Sequence, residues 1–398
     1  MTSADLLSSI RMERVAEDIW TLVNIPSPTG SEQRAAQAYA EMLRASGAEV
    51  EPEAPDPQRL FVLARLKGNR PGRRLLLAGH LDHIALPHDE PTRDAHTITG
   101  RGSADMKSGL AAIIEILRLL NAAGRDFPGD ILVAAYGMHE APIGNSSTLV
   151  HLIRRGIPAD AAIVMESDYS SRDKAVVAGA GQSIWNIILR RAGAASHELN
   201  RSPEADHLLE CAMRAAASLR DLDRLLRRST AGHALLRPES LFIGQMHYGD
   251  FYNRAPDVCA LQGTRRWHPG RSFDSVQEEM RELLNALPAF PGIAVQSDFR
   301  LTGEAYEVSP NESIVRALRL AWQTVTGNSM PLAGTSAVTD ANRLVPLARI
   351  PTVLIGLDNE YAHADHESVR IERLLTPCRV ALLTVLTYLG SQDIRASS

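Results

Sequence analysis

Cysteine is scarce: Cys211, Cys259 and Cys378 are the whole complement. Three thiols far apart in sequence exclude a disulfide framework and fit no cysteine-based metal spacing. Each reads as a packed apolar residue in a reducing compartment. An excess of either charge is also missing. Lys and Arg number 42 against 47 Asp and Glu, a net charge of −5. That balance leaves no electrostatic footprint for nucleic acid or an anionic membrane. No apolar run approaches the roughly 18 residues a membrane helix needs. The opening MTSADLLSSIRMERVAEDIW carries Arg11, Glu13 and Arg14 where a secretory signal would be apolar. The expectation is a cytoplasmic protein without nucleic-acid or membrane partners. Internal repeats and low-complexity tracts are absent too.

What is present is a chain of 398 residues with 44% hydrophobic and 22% charged residues, enough for two globular domains. Helical periodicity covers Ile10–Leu22 and Glu32–Ser46. Strand-like runs follow at Leu60–Leu66 and Arg74–Gly79, a helix at Met106–Ala123, a strand at Asp130–Tyr136, a helix at Ser147–Arg155 and a strand at Ala161–Met165. Apolar strands alternating with helices predict an α/β domain with a mainly parallel sheet. After Gly181 the pattern changes. Strands at Ser183–Arg191, Leu241–His247, Val258–Arg265 and Ile293–Leu301 surround helices at Pro203–Leu219 and Ser275–Leu287. That predicts an inserted α+β, ferredoxin-like domain over 182–303, with the catalytic domain formed by 1–181 plus 304–398. The α/β pattern then returns with a helix at Asn311–Thr326, capped by Ser309, a strand at Pro351–Gly356 and a final helix at Val369–Leu389. The Arg-rich stretch Arg220–Arg228 reads as a solvated helix face.

Five short segments carry chemistry, four of them where predicted strands end. In open α/β sheets the crevice at the carboxyl ends of the strands is where sites form. The first strand runs into Gly79-His80-Leu81-Asp82, where His80 offers a ring nitrogen and Asp82 a partner for the imidazole. Gly100-Arg101-Gly102-Ser103-Ala104-Asp105-Met106-Lys107 brackets Asp105 with glycines at the start of a helix. Alone, Asp105 could be a helix cap. Tyr136-Gly137-Met138-His139-Glu140 and Met165-Glu166-Ser167-Asp168 place carboxylates directly after buried strands, where a charge must be solvated, paired or metal-bound. The last segment, after the final strand, runs from Gly356 to Glu367 and includes His363. Together these segments supply imidazoles and carboxylates to one edge of one sheet, a donor mixture that suits Zn²⁺, Mn²⁺ or Co²⁺. Two such ions would polarise a carbonyl and acidify a water.

The order and wording of these segments resemble the dizinc amidohydrolase family that includes glutamate carboxypeptidase, acetylornithine deacetylase, succinyl-diaminopimelate desuccinylase and aminoacylase. The likeness begins at Ile25-Pro26-Ser27-Pro28-Thr29-Gly30-Ser31-Glu32. It continues through Gly334-Thr335-Ser336, Thr339-Asp340-Ala341, Ile350-Pro351-Thr352-Val353 and the His363/Glu367 spacing. The resemblance implies that His80 and Glu166 bind one metal and that Glu140 and His363 bind the other. Asp105 would bridge the two, and Asp82 would orient His80. It implies two divalent ions per chain, Zn²⁺ foremost with Mn²⁺ or Co²⁺ as alternatives, and a cis peptide at Asp105–Met106. The inserted domain would serve as lid and homodimer contact. There His197 would stabilise the oxyanion, and Asn253 with Arg266 would grip a substrate carboxylate, with Arg254 or Arg265 as alternative contacts. The implied activity is hydrolysis of an amide-type C–N bond in a small carboxylate-bearing substrate such as an N-acyl amino acid or dipeptide.

One position departs from the family pattern. Two adjacent glutamates are usual after the third strand, the first a general base, and this chain has His139 in that place. A neutral imidazole kept uncharged by nearby cations can accept the proton. Otherwise His139 marks a different C–N reaction such as hydrolytic deamination, or a metal-stabilised binding protein with weak catalysis. In the inserted domain Ala205-Asp206-His207-Leu208 stands where the family has Gly-x-Asn-Ala. His207 reads as an exposed helix residue, and His83, His247, His268 and His366 as ordinary histidines.

Overall fold

The computed structural model describes residues 2–51, 61–166, 173–229 and 232–390. Leu60 of the first expected strand and Ser167-Asp168 of the fourth segment lie outside them. In chain order the main elements are α1 (Met12–Val23), α2 (Gln33–Ala45), β1 (Phe61–Lys67), β2 (Arg70–His80), α3 (Ser108–Ala122), β3 (Pro128–Tyr136), α4 (Ser147–Arg155) and β4 (Ala161–Val164). There follow β5 (Gly181–Arg191), α5 (Pro203–Arg228), β6 (Ser240–Tyr248), β7 (Val258–Trp267), α6 (Phe273–Asn285) and β8 (Ile293–Gly303). The chain closes with α7 (Ser313–Thr326), α8 (Ala341–Ala348), β9 (Thr352–Leu354) and α9 (Leu375–Gly390). The chain divides into two compact units: Met1–Val177, Val308–Ala333 and Thr339–Ser398 form one, and Ala178–Glu307 with Gly334–Val338 the other.

In the first unit β3, β2, β4 and β9 pair in parallel, and β1 with the short strand Glu49–Val50 extends the sheet antiparallel on one side. Leu75, Leu76, Leu77 and Ala78 are buried on both faces, as a strand inside a parallel sheet must be. Helices α1 and α2 each bury one stripe, for example Val15, Ile19 and Leu22 on α1. By contrast α3 is buried almost all round, which accounts for its unbroken apolar sequence. Its first turn lies close under β4: a side-chain carbon on Gly109 would come within 2.2 Å of the Met165 carbonyl oxygen. Only glycine permits that approach, which sets the Asp105 loop beside the end of β4.

The second unit has the order β6-β7-β5-β8, with every neighbouring pair antiparallel. With α5 after β5 and α6 after β7, this is the βαββαβ arrangement of a ferredoxin-like fold. Along β5, Trp185, Ile187 and Leu189 face inward and alternate with half-buried residues. They pack against Leu208, Cys211, Ala212, Ala215 and Leu219 of α5. All three cysteines are buried free thiols.

Two boundaries differ from the sequence expectation. Ser309 does not cap α7: Glu312 is the N-cap residue and no side chain bonds the free N–H groups there. The final helix starts at Leu375, because Ser368–Arg370 pairs as a strand with Thr97–Thr99 and a 3-10 turn, Ile371–Leu374, follows. No helix among the described residues is long and apolar enough to cross a membrane.

Candidate metal centre

The parallel strands deliver their ends side by side. His80 is the last residue of β2, His139 and Glu140 follow β3, Glu166 follows β4, and His363 lies in the loop after β9. Asp105 enters from a wide turn, Ser103–Lys107, ahead of α3. The Asp105–Met106 peptide is cis, as is Ala141–Pro142. Two positive φ values mark the site loops, Met138 at 62° and His363 at 63°, a conformation that costs free energy in non-glycine residues.

Asp105 stands between two imidazoles. Its Oδ1 lies 3.1 Å from His80 Nε2, and its Oδ2 lies 3.3 Å from His363 Nε2. His363 Nε2 is also 2.9 Å from Glu140 Oε1. Donor atoms of His80, Asp105 and Glu140 all fall within 4.8 Å of one another, and so do those of His80, His139 and Glu166. The His80 and His139 rings stack in parallel with centroids 4.1 Å apart.

The protonation of this cluster follows from how closely its charged groups are packed. Burial opposes charge on His80, but its bond to Asp105 and the nearby carboxylates outweigh that and push its pKa up to about 9. Hydrogen bonds to Asp105 and Glu140 raise His363 to about 10. Burial, then the Asp105 charge, drives Glu166 up to about 8. Burial also works against an ionised Asp105, yet its bonds to His363 and His80 hold it well below the usual carboxylate range. Among the described residues, Glu166 Oε2 is buried without a hydrogen-bond partner. An acceptor oxygen facing other acceptors is costly unless a proton or cation lies between them. Three carboxylates converging with two or three imidazoles therefore fit divalent cations of the Zn²⁺, Mn²⁺ or Co²⁺ class.

A further set of buried carboxylates holds the loops. Glu367 accepts the main-chain N–H groups of Gly102, Ala104 and Asp105, each at 3.0 Å. Asp82 Oδ2 accepts from the N–H of His139 at 2.9 Å, from that of Glu140 at 2.8 Å and from the Thr29 hydroxyl at 2.9 Å. Glu32 accepts from Gly30 and Met138, and a Cβ at Gly137 would strike its carboxyl at 2.6 Å. His80 Nδ1 bonds to the carbonyl oxygen of Asp82 at 3.0 Å, while the nearer carboxylate oxygen is 3.7 Å away. The carbonyl thus orients His80, and the Asp82 carboxylate fixes the loop after β3. Lys107 is buried, with Nζ donating to the carbonyls of Leu22 and Ile25.

Asp340, at the head of α8, bonds His139 Nδ1 at 3.0 Å and the Tyr136 hydroxyl at 2.6 Å. Neither Glu32 nor Asp340 was singled out for a role from sequence. Their only signal is position within the Pro-Ser-Pro-Thr-Gly and Thr-Asp-Ala segments.

The remaining residues singled out from sequence lie in the second unit. His197 Nδ1 accepts the Leu199 N–H at 3.2 Å, and its Nε2 lies 3.3 Å from the Asn253 side-chain amide. Arg254 is exposed and paired with Asp250. Arg266 is half-buried, donates to the Ser336 carbonyl, and has its pKa lowered by burial. Arg265 is fully buried between Glu239 and Glu279, so its guanidinium is committed to structure and offers nothing to a ligand. His83 and His268 are buried and hydrogen-bonded, and His207, His247 and His366 are surface or half-exposed residues without cluster partners.

A family model described as peptidase family M20/M25/M40 matches residues 76–387. A protein of Halalkalibacterium halodurans named N-formyl-4-amino-5-aminomethyl-2-methylpyrimidine deformylase is 26% identical, covering 93% of this chain and 92% of the relative. Succinyl-diaminopimelate desuccinylase of Delftia acidovorans is 24% identical over 90% of this chain and 94% of its own. The crystal structure of aminopeptidase PepT from Bacillus cereus superimposes with a TM-score of 0.76 at 18% identity, covering 96% of this chain and all of that one.

Proposed function

The chain belongs to peptidase family M20/M25/M40 and is a metal-dependent hydrolase of C–N bonds, and from that premise we propose how its residues divide the work. His80 and Glu166 would hold one divalent cation and Glu140 and His363 the other, with Asp105 available to both. The observation that carries this assignment is the Asp105 carboxylate, with one oxygen toward His80 and the other toward His363. Bound cations would polarise the scissile carbonyl and acidify a water between them. His139 takes the proton from that water through Nε2 and returns it to the leaving nitrogen. His197 donates a hydrogen bond to the developing oxyanion, and Arg266, Asn253 and Arg254 recognise a substrate carboxylate. The second unit also forms the contact of a homodimer.

The names of two relatives support a narrower substrate class. Two proteins matched over nine-tenths of this chain are named for removing a formyl and a succinyl group from an amine nitrogen. A small N-acyl amine is therefore the favoured substrate, with water adding to the acyl carbon and the amine leaving.

Elemental analysis after loading with Zn²⁺ or Mn²⁺ and desalting tests the assignment without any guess of substrate. Two ions per chain are expected, fewer in Asp105→Ala, with release of amine from N-formyl and N-succinyl amines abolished by EDTA. A value near zero in the wild type refutes the ligand assignment. Two ions with no hydrolysis across the amide panel would move the reading to another C–N bond.

A further inference from the structure

The imidazole of His139 has partners that the hydrolase reading does not use. Asp340 comes from a stretch of chain 201 residues away, and its carboxylate is wholly buried. Oδ1 meets His139 Nδ1 at 3.0 Å, and Oδ2 accepts the Tyr136 hydroxyl at 2.6 Å. Tyr136 is the last residue of β3 and fully buried, so this second bond ties Asp340 to the strand that carries His139. The ring is further fixed by its parallel stack on His80 and by the bond from its own main-chain N–H to Asp82.

An imidazole bonded through Nδ1 to a carboxylate carries its proton on that nitrogen, which leaves the lone pair of the neutral ring on Nε2. A ring nitrogen of His139 lies within 4.8 Å of donor atoms of His80 and Glu166, and with Nδ1 taken by Asp340 the nitrogen left to accept is Nε2. Without Asp340 the neutral ring could place its proton on either nitrogen, and only one choice leaves Nε2 able to accept.

We propose that Asp340 is a positioning residue which, braced by Tyr136, holds His139 in the Nδ1–H tautomer and in one ring plane, so that Nε2 is presented to the attacking water. The proposal rests on the reading of His139 as proton acceptor, and it explains what must accompany a histidine there. A glutamate accepts with either oxygen and has no tautomer to fix. Placed beside Asp340 it would set two buried carboxylates against each other. His139 therefore depends on Asp340 for its tautomer in a way that a glutamate would not.

A double-mutant cycle with metal counting tests this. The variants are Asp340→Ala, His139→Glu and the combination, each loaded with Zn²⁺ and assayed on the N-acyl amine that the wild type hydrolyses best. Asp340→Ala is expected to keep two ions and to lower kcat about 10- to 100-fold, the usual scale for losing a carboxylate that orients a histidine, with KM little changed. In the His139→Glu background the same change is expected to cost nothing or to raise kcat. An equal loss in both backgrounds would overturn the proposal, because a merely structural Asp340 is indifferent to residue 139. Loss of an ion in Asp340→Ala or His139→Ala would also overturn it, making His139 a ligand. Should Asp340→Ala fail to fold, Tyr136→Phe removes only the brace and is expected to lower kcat several-fold with two ions retained. Nitrogen-15 NMR of Zn²⁺-loaded, histidine-labelled protein reads the tautomer without any substrate, with His139 assigned from its loss in His139→Gln. A wild type that hydrolyses nothing would sink the hydrolase reading, while the NMR still decides on Asp340. A wild-type Nδ1–H signal that survives unchanged in Asp340→Ala overturns the proposal.

Discussion

Metal loading should expel protons, and the cluster says how many. Without cations, His363 holds its proton up to about pH 10, His80 to about 9 and Glu166 to about 8. All three are protonated at pH 7, and a ring nitrogen or carboxylate oxygen that carries a proton cannot ligate. Loading two ions at pH 7 is therefore expected to release about three protons per chain from these groups, and His139, where burial opposes charge but Asp340 raises the pKa, adds about one more. The sign follows directly. These pKa values are raised, so protons compete with metal throughout the neutral range and affinity climbs with pH until each group titrates. With three to four protons released, the combined constant for two ions rises about 10³- to 10⁴-fold per pH unit near pH 7. Isothermal titration calorimetry of the EDTA-stripped protein with Zn²⁺, in buffers of different ionisation enthalpy, reads the number as a slope. A slope below one proton would show that the imidazoles are already free, which would refute the electrostatic account of the site. Glu166→Gln should lower the count by about one.

Other expectations concern the frame. His83 is buried, accepts the Ser27 N–H through Nε2 and bonds the Ile84 carbonyl through Nδ1. Burial, then the charge of Lys107, lowers its pKa to about 4, so its stabilising contribution is present above the ordinary 6.5 and is lost as pH falls toward 4. Urea unfolding of metal-free protein should show the wild type losing about 2.5 kcal/mol more than His83→Gln between pH 7 and 4.5, and parallel profiles would contradict this. Glu367→Gln leaves at least one of three N–H groups facing a donor and should cost about 2–4 kcal/mol, with Zn²⁺ affinity falling about 10- to 100-fold. Unchanged Zn²⁺ affinity in Glu367→Gln would detach the Asp105 loop from this anchor. Arg265→Met removes a buried cation from between Glu239 and Glu279 and should lower urea stability by about 3 kcal/mol.

The parts of the site legible in sequence are those carried by strand ends. Leu75–Ala78, Ile131–Ala135 and Ala161–Val164 are unbroken apolar runs because both sheet faces are covered, so the residue that ends each run is easy to find. His80, Glu140 and Glu166 follow from that. The insertion was legible in the change at Gly181 to the alternation seen along β5. What sequence could not show acts through main-chain N–H groups over long separations. Glu367 lies 262 residues from the Asp105 amide it binds, and no periodicity links them. Asp340 and Tyr136 are apart by 204 residues, and each alone reads as a helix start and a buried strand residue. Ser309 failed as a cap because helix caps depend on local dihedral angles that the tripeptide pattern does not encode.

The buried carboxylates of the site sort into two kinds by what saturates them. Glu367 and Asp340 are filled by N–H or hydroxyl donors from fixed loops, and Glu32 and Asp82 each have one oxygen so filled. They shape the site and do not compete for cations. Asp105, Glu140 and Glu166 face imidazoles or nothing, which is the basis for proposing them as metal ligands. The same accounting explains how histidine can occupy position 139. Replacing a glutamate by a neutral imidazole removes one negative charge from a site built around cations. Asp340 keeps one negative charge a hydrogen bond behind the ring. The His139–Asp340 pair carries a single negative charge, placed on the carboxylate behind the ring, and the proton acceptor is a nitrogen where the family pattern has an oxygen.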